Sequence, residues 1–204
     1  MNTRSIKTDQ SVCNSGFSNR QMPFQLQSLE DRPLRQPARP SFSTLAMAHL
    51  SHYAVERTVH LSYDQFTGLT RFLSDPDNKG HAFGGIQKAF MGLHVDNMSF
   101  AQPVSLYGMP VAGEIEDTFT NVLQAAKRLG AIDKNMFQIY SLEALHAAQA
   151  VDLRRMLKTK DLKLGEGTNA FYEAYRAVVP YVKSDRIFTD DIRKGADFFQ
   201  RYPL

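Results

Sequence analysis

The residues best suited to acid–base chemistry are three carboxylates that lie close together, Glu114, Glu116 and Asp117. They follow the segment 103–113, in which two prolines and two glycines disfavour regular structure. The apolar stretch 119–129 comes next and predicts a helix. Loops held between helices often carry the chemistry of a rigid scaffold. A glutamate placed among aromatic side chains there would exchange protons or bind a substrate amine.

The same acids have a simpler structural interpretation. Acidic side chains in the first turn of a helix are favoured by the helix dipole and by free backbone N–H groups. Glu114, Glu116 and Asp117 stand close to the start of the predicted helix. From the residues alone, helix capping and catalysis both stay open.

A second group of polar residues recurs at helical spacing. His49, His52, Glu56 and His60 fall within an arc of about 80° on one helix. Such a face offers nitrogen and oxygen ligands to a divalent metal. The spacing does not match a known zinc motif, and no second ligand cluster accompanies it. We therefore favour a polar seam in a helix bundle and assign no metal ligands.

Nucleotide and thiol chemistry find little support in the sequence. The glycine-containing runs Asn14-Ser-Gly16 and Gly84-Gly85 follow no predicted strand, and no Gly-Lys-Ser/Thr sequence is present. Cys13, the single cysteine, has no histidine or cationic helix start near it. Neither a phosphate loop nor a nucleophilic cysteine is expected.

Composition limits the class of protein. The 204 residues carry a net charge of +3, and 43% of them are apolar, which is enough for a buried core. Residues 1–40 hold six Lys/Arg and three acids, whereas residues 41–204 hold eighteen of each. The folded part is therefore balanced in charge, which argues against nucleic-acid binding. One cysteine and no apolar run after Met1 predict a cytoplasmic protein without a secretory signal or membrane span.

The pattern predicts an all-α protein with two parts. Residues 1–40 contain four prolines and no period, so we expect an irregular basic arm, with 31–40 not helical. Residues 41–204 predict a bundle of long helices, and alternating strand patterns are absent. The expected helices are a first one capped by Ser43-Thr44 and running to Leu61, followed by 82–95, 119–129 ended by Gly130, 135–157, one capped by Thr168 and ended by Pro180, and 186–199. The first of these is apolar on two sides and is expected to be buried on both.

Several short motifs, taken together in their order along the chain, resemble those of a known family. Pro103-Val-Ser105 followed by Glu116-Asp117-Thr-Phe-Thr120 is similar to a Pro-x-Ser…Gln-Glu-Asp-x-x-Ser segment of the aromatic amino acid ammonia-lyases. That family includes the histidine, phenylalanine and tyrosine ammonia-lyases and the related aminomutases. The further matching pieces are Asp31-Arg-Pro-Leu34, Phe42-Ser-Thr44, Ala54-Val-Glu-Arg57, Leu142–Arg154 with its Ala-x-Gln-x-x-Asp-Leu-Arg ending, Gly165-Glu-Gly-Thr168, Arg176–Pro180, Asp185-Arg186 and Asp190-Asp-Ile192.

The resemblance implies a fold and three site residues. The chain resembles the later, smaller part of a family member, so it implies the C-terminal helical part of the ammonia-lyase fold. Glu116 would be the active-site acid near the substrate amine. Phe42 would form a wall of the aryl pocket, and Gln87 would make an outer polar contact.

The resemblance also implies what the chain lacks. In the family, an internal Ala-Ser-Gly cyclises to a methylidene-imidazolone electrophile, and these 204 residues contain no Ala-Ser-Gly. No cofactor is therefore expected in this chain. We expect the chain to form a homo-oligomer or to associate with a partner chain that carries the N-terminal half. By itself, the chain is expected to be catalytically inactive. The alternative is a non-catalytic helical module for oligomerisation or regulation.

Overall fold

All regular structure in the described part of the chain is helical. The computed structural model describes residues 35–104, 108–110, 112–113, 115 and 121–202, with side chains from Phe42 onward. No strand occurs in these ranges, which confirms the all-α class. The longer helices are α1 (Arg35–Leu61), α2 (Gln87–Phe100), α3 (Val122–Leu157), α4 (Glu166–Val178) and α5 (Thr189–Arg201). Short helical turns at Asp64–Thr67, Arg71–Leu73 and Ala82–Gly84 connect α1 to α2.

Helix α3 is the element against which the others pack. Its 36 residues span about 54 Å, and α1, α2, α4 and α5 all contact it. Its buried apolar side chains recur every three or four residues, so one broad face enters the core. These side chains are Ile132, Met136, Ile139, Leu142, Leu145 and Leu153. Each such burial stabilises the fold by roughly 1.5–3 kcal/mol.

The predicted break at Gly130 is wrong. Helix α3 runs without interruption through this glycine, where two separate helices were expected. A glycine inside a helix costs only about 1 kcal/mol relative to alanine. Burial of Ala125 before Gly130, and of Ile132 and Met136 after it, exceeds that cost.

The predicted start of α1 is also wrong. The helix begins at Arg35, eight residues before Ser43, and includes two of the prolines that were expected to prevent it. The first four N–H groups of a helix have no intrahelical partner, so Pro37 in the first turn removes no bond. Only Pro40 removes an intrahelical bond, and the helix continues past it.

Three further boundaries differ by a few residues. Helix α4 begins after Gly165, so Thr168 lies inside it and does not cap it. The last helix begins at Thr189 and not at 186, although Asp190 and Asp191 occupy its first turn as expected. The predicted helix 82–95 divides into a turn at Ala82–Gly84 and helix α2.

Helix α1 is buried on one side only, contrary to the expectation of burial on two sides. Ala48, Ala54 and Val55 are buried, but large apolar side chains elsewhere on α1 are exposed. Helix α2, which packs against α1, carries a similar exposed stripe. We call these side chains together the open face: Phe42, Leu45, Leu50 and Tyr53 of α1, and Met91, Val95 and Met98 of α2.

The sequence predicted an irregular arm at residues 1–40, separate from the helical part. This stays a prediction for residues 1–34, which lie outside the described residues. Helix α1 begins at Arg35 and runs across positions 40 and 41, so no boundary falls there. None of the helices in the described ranges combines the length and apolar character needed to cross a membrane.

Candidate functional site

The connection between α2 and α3, residues 101–121, contains the acidic cluster in its sequence, and its two ends are held together. We call this connection the acidic loop. Glu114, Glu116 and Asp117 themselves lie outside the described residues. At the base of this loop, the Asn121 side-chain amide donates to the carbonyl of Val104 at 3.4 Å. Arg128 also donates to the carbonyl of Gln102 at 2.8 Å. Both ends of the loop are therefore fixed at the start of α3.

The first-turn capping interpretation of these acids is wrong. Helix α3 begins at Val122, with Asn121 as its capping residue in a left-handed conformation, and its first turn contains no acidic side chain. Asp117, the last of the three acids, precedes Asn121 by four residues. The assignment of Glu116 as an active-site acid stays a prediction.

The other two predicted site residues lie on helices that pack together. Phe42 is in α1 and is 71% exposed. Gln87 is the first residue of α2, and its side-chain nitrogen Nε2 is buried and has no hydrogen-bond partner among the described residues. An unpaired buried amide costs about 1–3 kcal/mol. A hydrogen-bond acceptor placed beside Nε2, such as one on a bound ligand, would remove that cost. Both roles stay predictions.

The histidines of α1 do not act as one group. His49 and His52 are exposed, and the His60 ring lies 5.8 Å from the Tyr63 ring and 5.5 Å from that of Phe66. His60 Nδ1 donates to the carbonyl of Glu56 at 2.9 Å. In the described ranges, no group of three or more His, Cys, Asp or Glu side chains is arranged around a common metal position.

A histidine that sequence reasoning missed lies beside this seam. His94 of α2 is almost buried, and its two ring nitrogens face Ser51 and His52 of α1. Burial lowers the pKa of His94, and the nearby His52 lowers it further. No local spacing could have found it, because His94 and His52 are 42 positions apart.

The motif on α3 that carries much of the family resemblance has a structural role. Gln149 is fully buried, and its amide pairs with the backbone of Val182 in both directions. Nε2 donates to the Val182 carbonyl at 2.9 Å, and the Val182 N–H donates to Oε1 at 3.1 Å. Nε2 also approaches the Leu73 carbonyl at 3.4 Å. Gln149 thus joins α3 to two chain segments that are distant in sequence.

Asp152, three residues further on, extends this arrangement to α4. Its carboxylate accepts hydrogen bonds from the Tyr172 hydroxyl and, at 2.6 Å, from the Arg176 guanidinium. Burial raises the pKa of Tyr172, and the hydrogen bond to Asp152 adds to that effect. Asp152 and Arg176 are largely buried, so the pair fixes α4 against α3.

The segment between α4 and α5 is held by further carboxylates. Asp185 accepts from the Asn78 amide and from the backbone N–H groups of His81 and Ala82, at 2.7–2.9 Å. These bonds lower the pKa of Asp185, that from Asn78 most strongly. Arg186 pairs with Asp191 at 2.8 Å. We call this region, comprising residues 179–191 with Gln149 and Asp152, the clasp.

The clasp also contains a tyrosine–carboxylate pair. The Tyr181 hydroxyl donates to Asp75 at 2.7 Å. That bond lowers the pKa of Asp75, while burial raises the pKa of Tyr181. The polar residues of the clasp named here are therefore paired with one another or with groups of neighbouring segments, which is a structural role.

A cleft of about 700 Å³ lies at the end of α1. Its lining includes His60, Tyr63, Phe66 and Arg71. Arg71 stacks over the Phe72 ring at 4.8 Å. Neither Phe42 nor Gln87 is among the described residues that line the cleft, so it does not support their assignment.

Sequence comparison connects the described helices to a family. A family model described as aromatic amino acid lyase matches residues 41–177, more than half of the chain. A histidine ammonia-lyase of Chloroflexus aurantiacus is 30% identical over 145 residues, which cover 70% of this chain and 28% of that protein. A histidine ammonia-lyase of Gloeobacter violaceus is 30% identical over 151 residues, or 74% of this chain and 28% of that protein.

Solved structures agree with the sequence matches. An ergothioneine-degrading enzyme, ergothionase of Treponema denticola, superposes with a TM-score of 0.74 and 36% identity, over 80% of this chain and 32% of that one. A tyrosine aminomutase of Streptomyces globisporus gives 0.71 and 28% identity, over 81% and 31%. Histidine ammonia-lyase of Trypanosoma cruzi, at 0.72 and 20% identity over 80% and 31%, supports the fold.

The extent of these matches defines what the chain represents. It spans about 30% of the length of the relatives that it matches. The matched region includes Phe42, Gln87 and the acidic loop, but only one part of a whole relative. The resemblance inferred from the short motifs is thus confirmed, and the chain belongs to the aromatic amino acid lyase family.

Proposed function

We propose that this chain supplies the carboxylate-bearing part of an aromatic amino acid ammonia-lyase site. The observation that carries the proposal is the family match across 41–177, which includes the acidic loop fixed at the start of α3. The reaction would eliminate ammonia from histidine, phenylalanine or tyrosine to give an arylacrylate. The remainder of the site would come from residues outside these 204, in the same polypeptide or in a second one.

The family's self-formed electrophile does not fit the residues present. It requires Ala-Ser-Gly, and the one Ser-Gly in this chain follows Asn14. Family members also have an N-terminal loop with a catalytic tyrosine and a Gln-x-x-Tyr-x-x-Arg segment that grips the substrate carboxylate, and neither is found in these 204 residues. No step that needs the electrophile is therefore assigned to these residues. We expect the chain to be inactive by itself.

The residues of this chain would bind and orient the substrate and handle a proton. Glu116 would accept or hold a proton beside the substrate amine. Phe42, whose ring is exposed, would cover one side of the aryl group. Gln87 would direct its unpaired Nε2 toward an acceptor and thereby recover a lost hydrogen bond. These assignments rest on family resemblance, combined for Phe42 and Gln87 with their positions on α1 and α2.

The test follows product absorbance in the ultraviolet, as urocanate or another arylacrylate. The chain alone should give no product, and addition of the polypeptide that carries Ala-Ser-Gly should restore turnover. Glu116→Gln should then lower kcat by about 10²- to 10⁴-fold, the range for loss of a general acid or base. Glu114→Gln in the same loop is the matched control and should change the rate less than tenfold. Turnover by the purified chain alone would contradict the proposal.

The substrate panel should extend beyond the three aromatic amino acids. The ergothioneine-degrading neighbour is 36% identical to this chain, compared with 30% for the histidine ammonia-lyases. Ergothioneine should therefore be assayed beside histidine under the same conditions. A cytoplasmic location is part of the proposal and rests on the single cysteine.

A second candidate function is a non-catalytic helical module for oligomerisation or regulation. It is favoured by the clasp, in which motif residues serve structure, and by the open face, which offers apolar side chains to a partner. This function predicts that Glu116→Gln leaves a partner's rate unchanged. A loss of activity by several kcal/mol of barrier, at about 1.4 kcal/mol per tenfold, would exclude it.

A further inference from the structure

The contact between α1 and α2 contains an ordered chain of polar groups that the proposed lyase role does not use. It consists of Ser51 and His52 on α1 and His94 on α2. Ser51 is fully buried and His94 nearly so, whereas His52 is exposed. Buried polar groups are usually held in one arrangement by their hydrogen bonds. The direction of each bond can therefore be worked out.

The hydroxyl of Ser51 determines which nitrogen of His94 carries the proton. Ser51 Oγ donates its single hydrogen to the carbonyl of Ala48 at 2.7 Å. At 2.9 Å from His94 Nδ1, the same oxygen can then act only as an acceptor. Nδ1 therefore carries the hydrogen, and Nε2 of the neutral imidazole presents a lone pair.

That lone pair faces a second imidazole. His94 Nε2 lies 3.4 Å from His52 Nδ1, which is longer than the usual hydrogen-bond distance of about 2.9–3.0 Å. The ring centroids are 5.3 Å apart, so the two nitrogens lie between the rings. Two imidazole nitrogens at about 2.05 Å from one tetrahedral metal ion would be separated by about 3.3 Å. The observed spacing matches that value.

The surroundings fit a cation as well. Glu56 lies one turn after His52 on the same side of α1, and its side chain is about half exposed. Its carboxylate lies 4.0 Å from His60 Nδ1, which is beyond hydrogen-bond distance. Metal-bound histidines commonly donate their other ring nitrogen to a fixed acceptor, as His94 does to Ser51.

From this geometry we propose that His52 and His94 form a binding site for a borderline divalent transition-metal ion such as Zn²⁺. Ser51 orients the His94 ring, and Glu56 or water completes the coordination. The described residues hold no preformed group of three ligands, so the third ligand arrives by rotation of the Glu56 side chain or from solvent. Nitrogen ligands with one carboxylate are typical of Zn²⁺ sites. The site spans two helices and would pin α1 to α2.

The experiment titrates ZnCl₂ into the tag-free full chain by calorimetry, with Cys13→Ser as background to remove the thiol. We expect one equivalent of Zn²⁺ per chain. His52→Ala, at an exposed position, should weaken binding at least tenfold while leaving the circular dichroism unchanged. Ser51→Ala should weaken it by about 10- to 100-fold, as is usual for loss of a group that orients a ligand.

Matched controls lie on the same helix. His49→Ala and His60→Ala remove exposed imidazoles outside the pair and should leave the affinity within about twofold of the background chain. Co²⁺ provides a second readout, because tetrahedral Co²⁺ absorbs visible light strongly and His94→Ala should abolish that band. Absence of stoichiometric Zn²⁺ binding, or equal losses in His49→Ala and His52→Ala, would overturn the proposal.

Discussion

The clasp and the open face use their side chains in opposite ways. In the clasp, Gln149, Asp152 and Asp185 each make two or more hydrogen bonds within the chain. On the open face, Tyr53 is 58% exposed and Val95 is 61% exposed, so much of each side chain is not covered by the described part of the chain. Exposed apolar surface is typical of contact sites. The clasp thus stabilises this chain, and the open face is available to something else.

This difference changes how the family motifs are interpreted. The Ala-x-Gln-x-x-Asp-Leu-Arg ending on α3 is the longest matching piece, yet its polar residues hold backbone and helices together. The predicted site residues Phe42 and Gln87 instead lie on α1 and α2, the helices that form the open face. A shared motif can therefore report shared architecture while the predicted site residues lie elsewhere.

The largest expected effect comes from removing the central group of the clasp. Gln149→Leu keeps a similar volume but leaves the backbone N–H and carbonyl of Val182 unpaired in a buried position. Unpaired buried groups cost about 1–3 kcal/mol each, so we expect the free energy of unfolding to fall by about 3 kcal/mol. Urea denaturation measures this change. Gln138→Leu, at an exposed position on the same helix, should change it by less than about 0.5 kcal/mol. Equal effects would show that the clasp does not stabilise the fold.

A second expected effect depends on pH and tests the hydrophobic core around His146, which belongs to neither region. His146 is fully buried with Nδ1 bonded to the Leu142 carbonyl, and burial lowers its pKa to about 4. Its pKa in the unfolded chain is about 6.5. Below that value the unfolded chain binds a proton that the folded chain excludes. Stability is therefore full above pH 6.5 and is lost as the pH falls toward 4, by about 3 kcal/mol.

The His146 effect is measured as the difference between two urea titrations. His146→Phe should remain folded, because Phe83 and Phe90 already contact this ring. The variant should lack the part of the acid sensitivity that lies between pH 6.5 and 4. Carboxylates such as Asp185 destabilise both proteins equally at low pH and cancel in the difference. Identical pH profiles would show that His146 does not enter the core in its neutral form.

The smallest expected effect on stability is on the open face. Tyr53→Ser replaces a ring that is 58% exposed, so the free energy of unfolding should change by less than about 0.5 kcal/mol. Thermal or urea unfolding of the isolated chain checks this. The same variant should weaken association with a partner if the open face is an interface, which size-exclusion chromatography would detect. A large loss of stability in the isolated chain would remove the distinction between the two regions.

Much of the fold was predictable because apolar periodicity is a local property. The pattern in residues 135–157 predicted the second half of α3. Helix ends were less predictable, since they depend on what the helix packs against. Gly130 and Pro40 disfavour helix locally, yet α3 and α1 continue through them. Tertiary burial of the neighbouring turns outweighs costs of this size.

The sequence alone determined the family, the all-α class and the absence of an Ala-Ser-Gly, because each of these is written in residue types and their order. Only the tertiary structure decided that Gln149 and Asp152 serve the clasp, that α1 leaves one apolar side open, and that His94 meets His52. The roles of Gln149 and Asp152 and the meeting of His94 with His52 depend on contacts between residues more than twenty positions apart. The exposed side of α1 depends instead on which neighbouring elements cover that helix. The physical reason is that long-range contacts arise from helix packing, and the local spacing of residues does not specify which helices pack together.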